Sequence, residues 1–163
     1  MSDVYLQQLI EANRIFADQI KTADQKAAYV FTFLLAMLVW SSETRRAFNV
    51  AHFAEAPALT VVISILLAAS ITVALVCAVL VVAPRSRPGR SLFFWGAWPA
   101  AGDRLAAARV AVDPDFLFEE YLANTRTLAT ICQSKYRTVT VALRAVLCAI
   151  IAYVVLLAMP VAT

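Results

Sequence analysis

The sequence predicts an all-α membrane protein with three transmembrane helices, the first and third extended into the cytoplasm as parallel amphipathic helices. Three observations carry this. Residues 58–83 hold 26 consecutive positions without a charged side chain. The chain is 62% hydrophobic and only 15% charged, where a soluble domain is about half apolar and a quarter charged. Two further apolar runs are each preceded by a polar, helix-patterned stretch. As a helix, residues 58–83 would measure about 39 Å, more than the roughly 30 Å of a bilayer's hydrocarbon core. Pro57 precedes this run, and Pro84-Arg85-Ser86-Arg87-Pro88-Gly89-Arg90 closes it with helix breakers and three positive charges. A soluble core helix rarely stays apolar on every face for so long.

Residues 1–26 form the first amphipathic helix of this reading. Leu6, Ile10, Asn13, Ala17, Ile20, Asp24 and Ala27 recur at steps of four and three, one continuous stripe. The polar character of Met1–Gln25 does not fit a secretory signal peptide. The helix runs into an uncharged first span at 27–42, short for a crossing, with Lys26 placed to snorkel at one end and Trp40 at the opposite interface. Residues 43–57 are a polar external loop holding Arg45, Arg46 and the one histidine, His52, which reads as a solvated side chain.

The second span, 58–83, leads into a basic and aromatic segment, 84–138. Phe93-Phe94-Trp95-Gly96-Ala97-Trp98-Pro99 suits a loop lying at headgroup level. Asp113-Pro114 reads as an N-cap and first helical residue, with Asp115, Glu119 and Glu120 in the early turns. From there a helix continues into the third span, 139–159, which Pro160 ends. Arg144 interrupts that apolar stretch: near a helix end it can snorkel to the interface, whereas deep in the bilayer it would be costly. Of 14 basic residues, only Arg45 and Arg46 fall in the first connection. The positive-inside rule therefore places the N-terminus and residues 84–138 in the cytoplasm and the C-terminus outside.

In this topology the helices leading into the first and third spans are parallel. The second stripe is Leu117, Tyr121, Asn124, Leu128, Ile131, Lys135 and Thr138, with the same steps and a constant offset of 111 from the first. Asn13 then faces Asn124, a polar pair of the kind that fixes coiled-coil register, and Asp24 faces Lys135 as an ion pair. Both stripes could instead face other subunits or headgroups.

No nucleophile–base–acid set, phosphate-binding glycine loop or metal-ligand spacing is visible, so the chain reads as a non-enzyme. Cys77, Cys132 and Cys148 read as small buried hydrophobes. Ser64, Ala68 and Thr72 give the second span a small-residue line suited either to assembly into an oligomer or to internal packing.

Asp24-Gln25-Lys26-Ala27 before the first span, Pro84-Arg85 after the second and Phe93-Phe94-Trp95-Gly96 resemble the membrane effectors called PycTM, of the Pycsar antiphage system. So does Tyr121…Leu128-Ala129-Thr130-Ile131…Ser134-Lys135-Tyr136 before the last span. The resemblance implies a bacterial inner-membrane protein activated by a cyclic pyrimidine mononucleotide, cUMP or cCMP, from a partner cyclase. The response it implies is membrane impairment and abortive infection. No known cyclic-nucleotide-binding domain is present, so a ligand site would come from the cytoplasmic part. The expected residues are Arg85, Arg87, Lys135 and Arg137 for phosphate and Phe94, Trp95 and Tyr136 for the base. The expected partners are the nucleotide, membrane lipid and further copies of the chain, with no nucleic acid and no metal or other cofactor. A ligand-independent scaffold or accessory subunit, or a holin-like pore former, is the alternative.

Overall fold

The computed structural model describes residues 2–49, 51, 53, 56–84, 91–93, 98–111 and 115–159. Five helices and no strand occur among them: α1 (Ser2–Trp40), α2 (Ser42–Arg46), α3 (Ala58–Val82), α4 (Trp98–Ala111) and α5 (Phe116–Ala158). They divide into two compact units, the first made of Met1–Ala23 with Pro84–Lys135, the second of Asp24–Ala83 with Tyr136–Thr163. Both α1 and α5 contribute to each unit.

Two helices are long and apolar enough to cross a membrane, α3 and α5. A core helix of a soluble protein would be mostly buried. Here only 33% of the apolar window of α3 and 17% of that of α5 are buried. Leu59, Val62, Ile65, Leu147, Ile151 and Leu157 all face outward. The expected first crossing is not among the qualifying helices. Its charge-free run starts at Ala27 and the helix stops at Trp40, about 21 Å of helix against about 30 Å of hydrocarbon.

The interior of the second unit is built from small and branched side chains. Ala27, Leu34, Leu67, Ile71, Ala74 and Ala149 are fully buried. On α3 the buried line runs Ser64, Leu67, Ile71, Ala74, Ala78, Val81, with steps of three and four that hold one face. The predicted line of steps of four drifts off that face. Ser64 is buried, Ala68 is half-buried and Thr72 is exposed, its hydroxyl donating to the Ala68 carbonyl at 2.8 Å. Cys148 likewise lies on the exposed face of α5, and Cys77 and Cys132 are half-buried. All three were expected inside.

At the end of α1, Ser41 caps α2 by accepting from the Thr44 N–H at 3.1 Å, and its hydroxyl donates to Tyr153 at 3.4 Å. Arg45 reaches back to the Val39 carbonyl at 2.7 Å, satisfying one of the acceptors a helix end leaves open. Arg46 pairs with Glu43 at 3.1 Å.

Two features of the first unit depart from expectation. Residues 98–111 form a 14-residue helix within a segment read as loop. Pro99 sits in its first turn, where no intrahelical N–H is needed, and alanines carry the remainder. The last helix begins at Phe116, after Asp115, whose carbonyl accepts from the Glu119 N–H at 3.0 Å. Asp113, Pro114 and His52 lie outside the described residues.

If the second unit is held by close approach through small residues, Ala74→Leu should destabilise it by about 1–3 kcal/mol through overpacking. The outward-facing Leu80→Ala should change it far less. Thermal unfolding of the protein in one detergent compares the two.

Candidate functional site

The polar side chains of the first unit converge where α1 meets α5. Asn13 and Asn124 are both buried, at 8% and 6% exposure. Asn124 Nδ2 donates to Asn13 Oδ1 at 2.5 Å. Asn13 Nδ2 reaches three acceptors: the Leu9 carbonyl at 2.9 Å, Thr125 Oγ1 at 2.6 Å and the Tyr121 carbonyl at 3.3 Å. The Thr125 hydroxyl donates to the same Tyr121 carbonyl at 2.7 Å. Asn124 Oδ1 is buried without a hydrogen-bond partner among the described residues, an unmet acceptor in the middle of the seam.

The face that α1 presents differs from the predicted stripe on one flank. Positions 6, 13, 20 and 27 lie on the covered face as expected, but Ile10 and Ala17 are exposed. Leu9 and Phe16 are half-buried and Ala23 fully buried in their stead. On α5 the stripe follows Tyr121, Asn124, Leu128, Ile131 and Lys135 inward, whereas Leu117 at its start is exposed.

A second cluster adjoins this layer on the preceding residues of α5. Glu120 is buried at 5% exposure. Its Oε2 accepts from the Leu92 backbone N–H at 2.7 Å, and its Oε1 is held by the Arg104 guanidinium of α4. Ser91 Oγ donates to the Glu120 carbonyl at 2.9 Å and accepts from the Phe93 N–H at 3.2 Å. Phe93 stacks on Tyr121, ring centroids 4.0 Å apart and planes inclined by 27°. One buried carboxylate thus ties residues 91–93 and α4 to the start of α5. The expectation had Glu120 only as an acid favouring a helix start, together with Asp115 and Glu119. Both of those are exposed. Glu120 escaped because a carboxylate gripping a backbone amide 28 positions away leaves no periodic trace.

The residues expected to hold a ligand are distributed otherwise. Arg85, Arg87, Phe94 and Trp95 lie outside the described residues. Lys135 is buried at 6% exposure and closes the first unit; Asp24 is half-buried and opens the second. Both are engaged in interactions. Tyr136 offers its ring to Lys26, whose Nζ lies 5.4 Å from the centroid, a cation–π contact within the second unit. Arg137 is exposed.

Amides, hydroxyls, an aromatic pair and an arginine–carboxylate contact suit recognition. Among the described residues no three His, Cys, Asp or Glu side chains converge as they would around a metal ion. The fold defines a helical membrane protein with a buried polar layer in its first unit. Residues 8–162 match the family model PycTM, the Pycsar effector protein domain. The chain therefore belongs to the PycTM family, whose members are effectors of Pycsar antiphage defence. Comparison with curated proteins and with solved structures returned no match.

Removing one amide from the seam should be worse than removing both. Asn13→Leu leaves the Asn124 amide unpaired and should cost about 1–3 kcal/mol. Asn13→Leu with Asn124→Leu should recover most of that. A double-mutant cycle on thermal unfolding in detergent reads the coupling.

Proposed function

We propose that this protein is a ligand-gated membrane effector of Pycsar immunity, resident in the bacterial inner membrane with its N-terminus inside and its C-terminus outside. A cyclic pyrimidine nucleotide, cUMP or cCMP, made by a partner cyclase during infection, activates it. Activation impairs the membrane and the infected cell dies before phage mature. The effector acts without catalysis. The family match over residues 8–162 is the observation that carries this reading. Two helices able to cross a bilayer, with apolar faces turned outward, support its membrane part.

Three crossings suit the charge distribution best. The apolar end of α1 makes the first by local thinning of the bilayer, with Lys26 snorkelling on the cytoplasmic side. Arg45 and Arg46 already serve as a helix cap and as the partner of Glu43, so local structure accounts for the two arginines on the outer side. The N-terminal helix and residues 84–138 are then cytoplasmic and receive the nucleotide. Because α1 and α5 each belong to both units, a change of register in the first is transmitted along continuous helices. The basic and aromatic residues Arg85, Arg87, Phe94, Trp95, Lys135, Tyr136 and Arg137 supply phosphate and base contacts, and several copies act together in the membrane. A ligand drives such a change only through unequal affinity for the two states.

Vesicles carrying the protein should lose an imposed membrane potential when cUMP or cCMP is added, and should hold it with cAMP. No loss with either pyrimidine nucleotide, and none retained on the purified protein, contradicts the reading in favour of a ligand-independent scaffold. Leakage without any nucleotide favours a holin-like pore. A pairing of Asp24 with Lys135 belongs to the same reading. Alanine at either site should abolish protection from phage, and exchanging the two residues should restore it; failure of the exchange removes the pair from the mechanism.

A further inference from the structure

We propose that Arg144 lines a water-filled, anion-selective passage formed between several copies of this chain, and that this passage is how the activated effector impairs the membrane. The inference rests on the function proposed above and adds to it the route across the bilayer and the kind of ion that takes it.

Arg144 sits where a charge is hardest to keep. Two contacts within the second unit mark, on α5, the polar ends of the apolar run of α1. Lys26 Nζ lies over the ring of Tyr136 at 5.4 Å from its centroid, and the Ser41 hydroxyl meets that of Tyr153 at 3.4 Å. Arg144 comes eight residues after Tyr136 and nine before Tyr153, about 12 Å and about 14 Å along the helix axis. Half the hydrocarbon of a bilayer is about 15 Å, so Arg144 branches from α5 near the middle of the crossing. Its side chain is exposed, as are its neighbours Val141, Leu143 and Leu147. It makes no hydrogen bond or ion pair among the described residues.

Three ways of relieving that charge are closed. A guanidinium keeps its proton at any working pH, so it does not neutralise itself as a buried lysine does. No Asp or Glu occurs in residues 27–42, 58–83 or 138–159, so neither this chain nor another copy brings a carboxylate to that depth. Snorkelling to the level of Lys26 would cover more than two helical turns, farther than one arginine side chain extends. Water is what remains, and its path is drawn on the helix. Arg137, Thr140, Arg144 and Cys148 follow at steps of three, four and four, hold one face of α5 and are all exposed. Such a line of polar positions, running from the level of Tyr136 to mid-membrane, has nothing to meet in lipid chains. One helix face cannot enclose water, so the passage needs the same face from further copies, and a ring of arginines then favours anions. Arg137, one of the cations offered to the nucleotide above, stands at the cytoplasmic entrance.

Planar bilayers holding the full-length protein under a potassium chloride gradient, with cUMP or cCMP added, test this. The nucleotide-evoked current should reverse near the chloride equilibrium potential. Arg144→Gln should abolish that preference, Arg144→Glu should move the reversal toward the potassium equilibrium potential, and Arg144→Lys should leave it in place. Cys148, one turn beyond Arg144, gives a second readout in a protein whose Cys77 and Cys132 are replaced by alanine. It should react with a charged, membrane-impermeant thiol reagent once nucleotide is added, because a thiol in hydrocarbon forms no thiolate. Selectivity unchanged in the Gln and Glu variants, or lost in Arg144→Lys, overturns the inference while leaving the nucleotide-gated reading in place. So does a Cys148 that stays unreactive while current flows. A leak that shows no ion preference and depends on anionic phospholipid assigns Arg144 to a headgroup phosphate and overturns the passage as well. No nucleotide-evoked current or leak in the wild type overturns both.

Discussion

The hydrogen bond from Asn124 to Asn13 is the constraint on which the first unit depends. An amide in a seam of apolar side chains is costly unless another polar group meets it. Only one stagger of α1 against α5 brings the two amides together. Sliding either helix by one turn would bring Asn13 level with Tyr121 or Leu128 and Asn124 level with Leu9 or Phe16, none of which offers an amide. The bond selects a register more than it adds stability, and the unpartnered Asn124 Oδ1 shows that satisfaction is incomplete even in the best register. Once the stagger is set, the rest of the cluster is placed. Tyr121 and Thr125 flank the amide layer, and Glu120, one residue before Tyr121, turns toward residues 91–93 and α4.

The second unit follows a different logic. Between helices in lipid there is no drive of the kind water supplies, and close contact of small residues takes its place. Ala27, Ala74, Ala78, Ala142, Ala149 and Ala152 accordingly occupy the inside. Apart from Leu67, Ile71, Val81 and Val139, few of the larger Val, Leu and Ile side chains of α3 and α5 are buried, and many point outward, the reverse of a soluble core. Hydroxyls on these helices are met locally: Thr72 and Thr140 each donate to the carbonyl four residues earlier. Such residues can therefore face lipid without an orphaned donor.

Much of this was legible before any coordinates. The long helices and the Asn13–Asn124 juxtaposition follow from the 3.6-residue period and from two stripes with equal steps. The flank of α1 was not legible, because Leu9 and Ile10 are equally apolar neighbours, as are Phe16 and Ala17, and one position around a helix is a turn of about 100°. The α4 helix escaped because it is alanine-rich with no stripe, so a search for amphipathic faces passes over it. The grip of Glu120 on Leu92 and Arg104 escaped for a different reason. It joins three separate stretches of chain through one side chain and a backbone amide, and no spacing rule reports such a contact. The apolar run after Ala27 was plain, but its length as helix was not, since only the break at Trp40 shows how little of it is available to cross a bilayer.

Chemical cross-linking tests the parallel α1–α5 seam most directly. In a protein whose native cysteines Cys77, Cys132 and Cys148 are replaced by serine or alanine, and whose Asn13 and Asn124 are kept, single cysteines are placed at positions 20 and 131. Isolated membranes are then treated with a short thiol-reactive cross-linker. The seam predicts efficient cross-linking within one chain for 20 with 131, and little for 20 with 133, on the opposite face of α5. Products joining only separate chains, or equal yields from the two pairs, would contradict it.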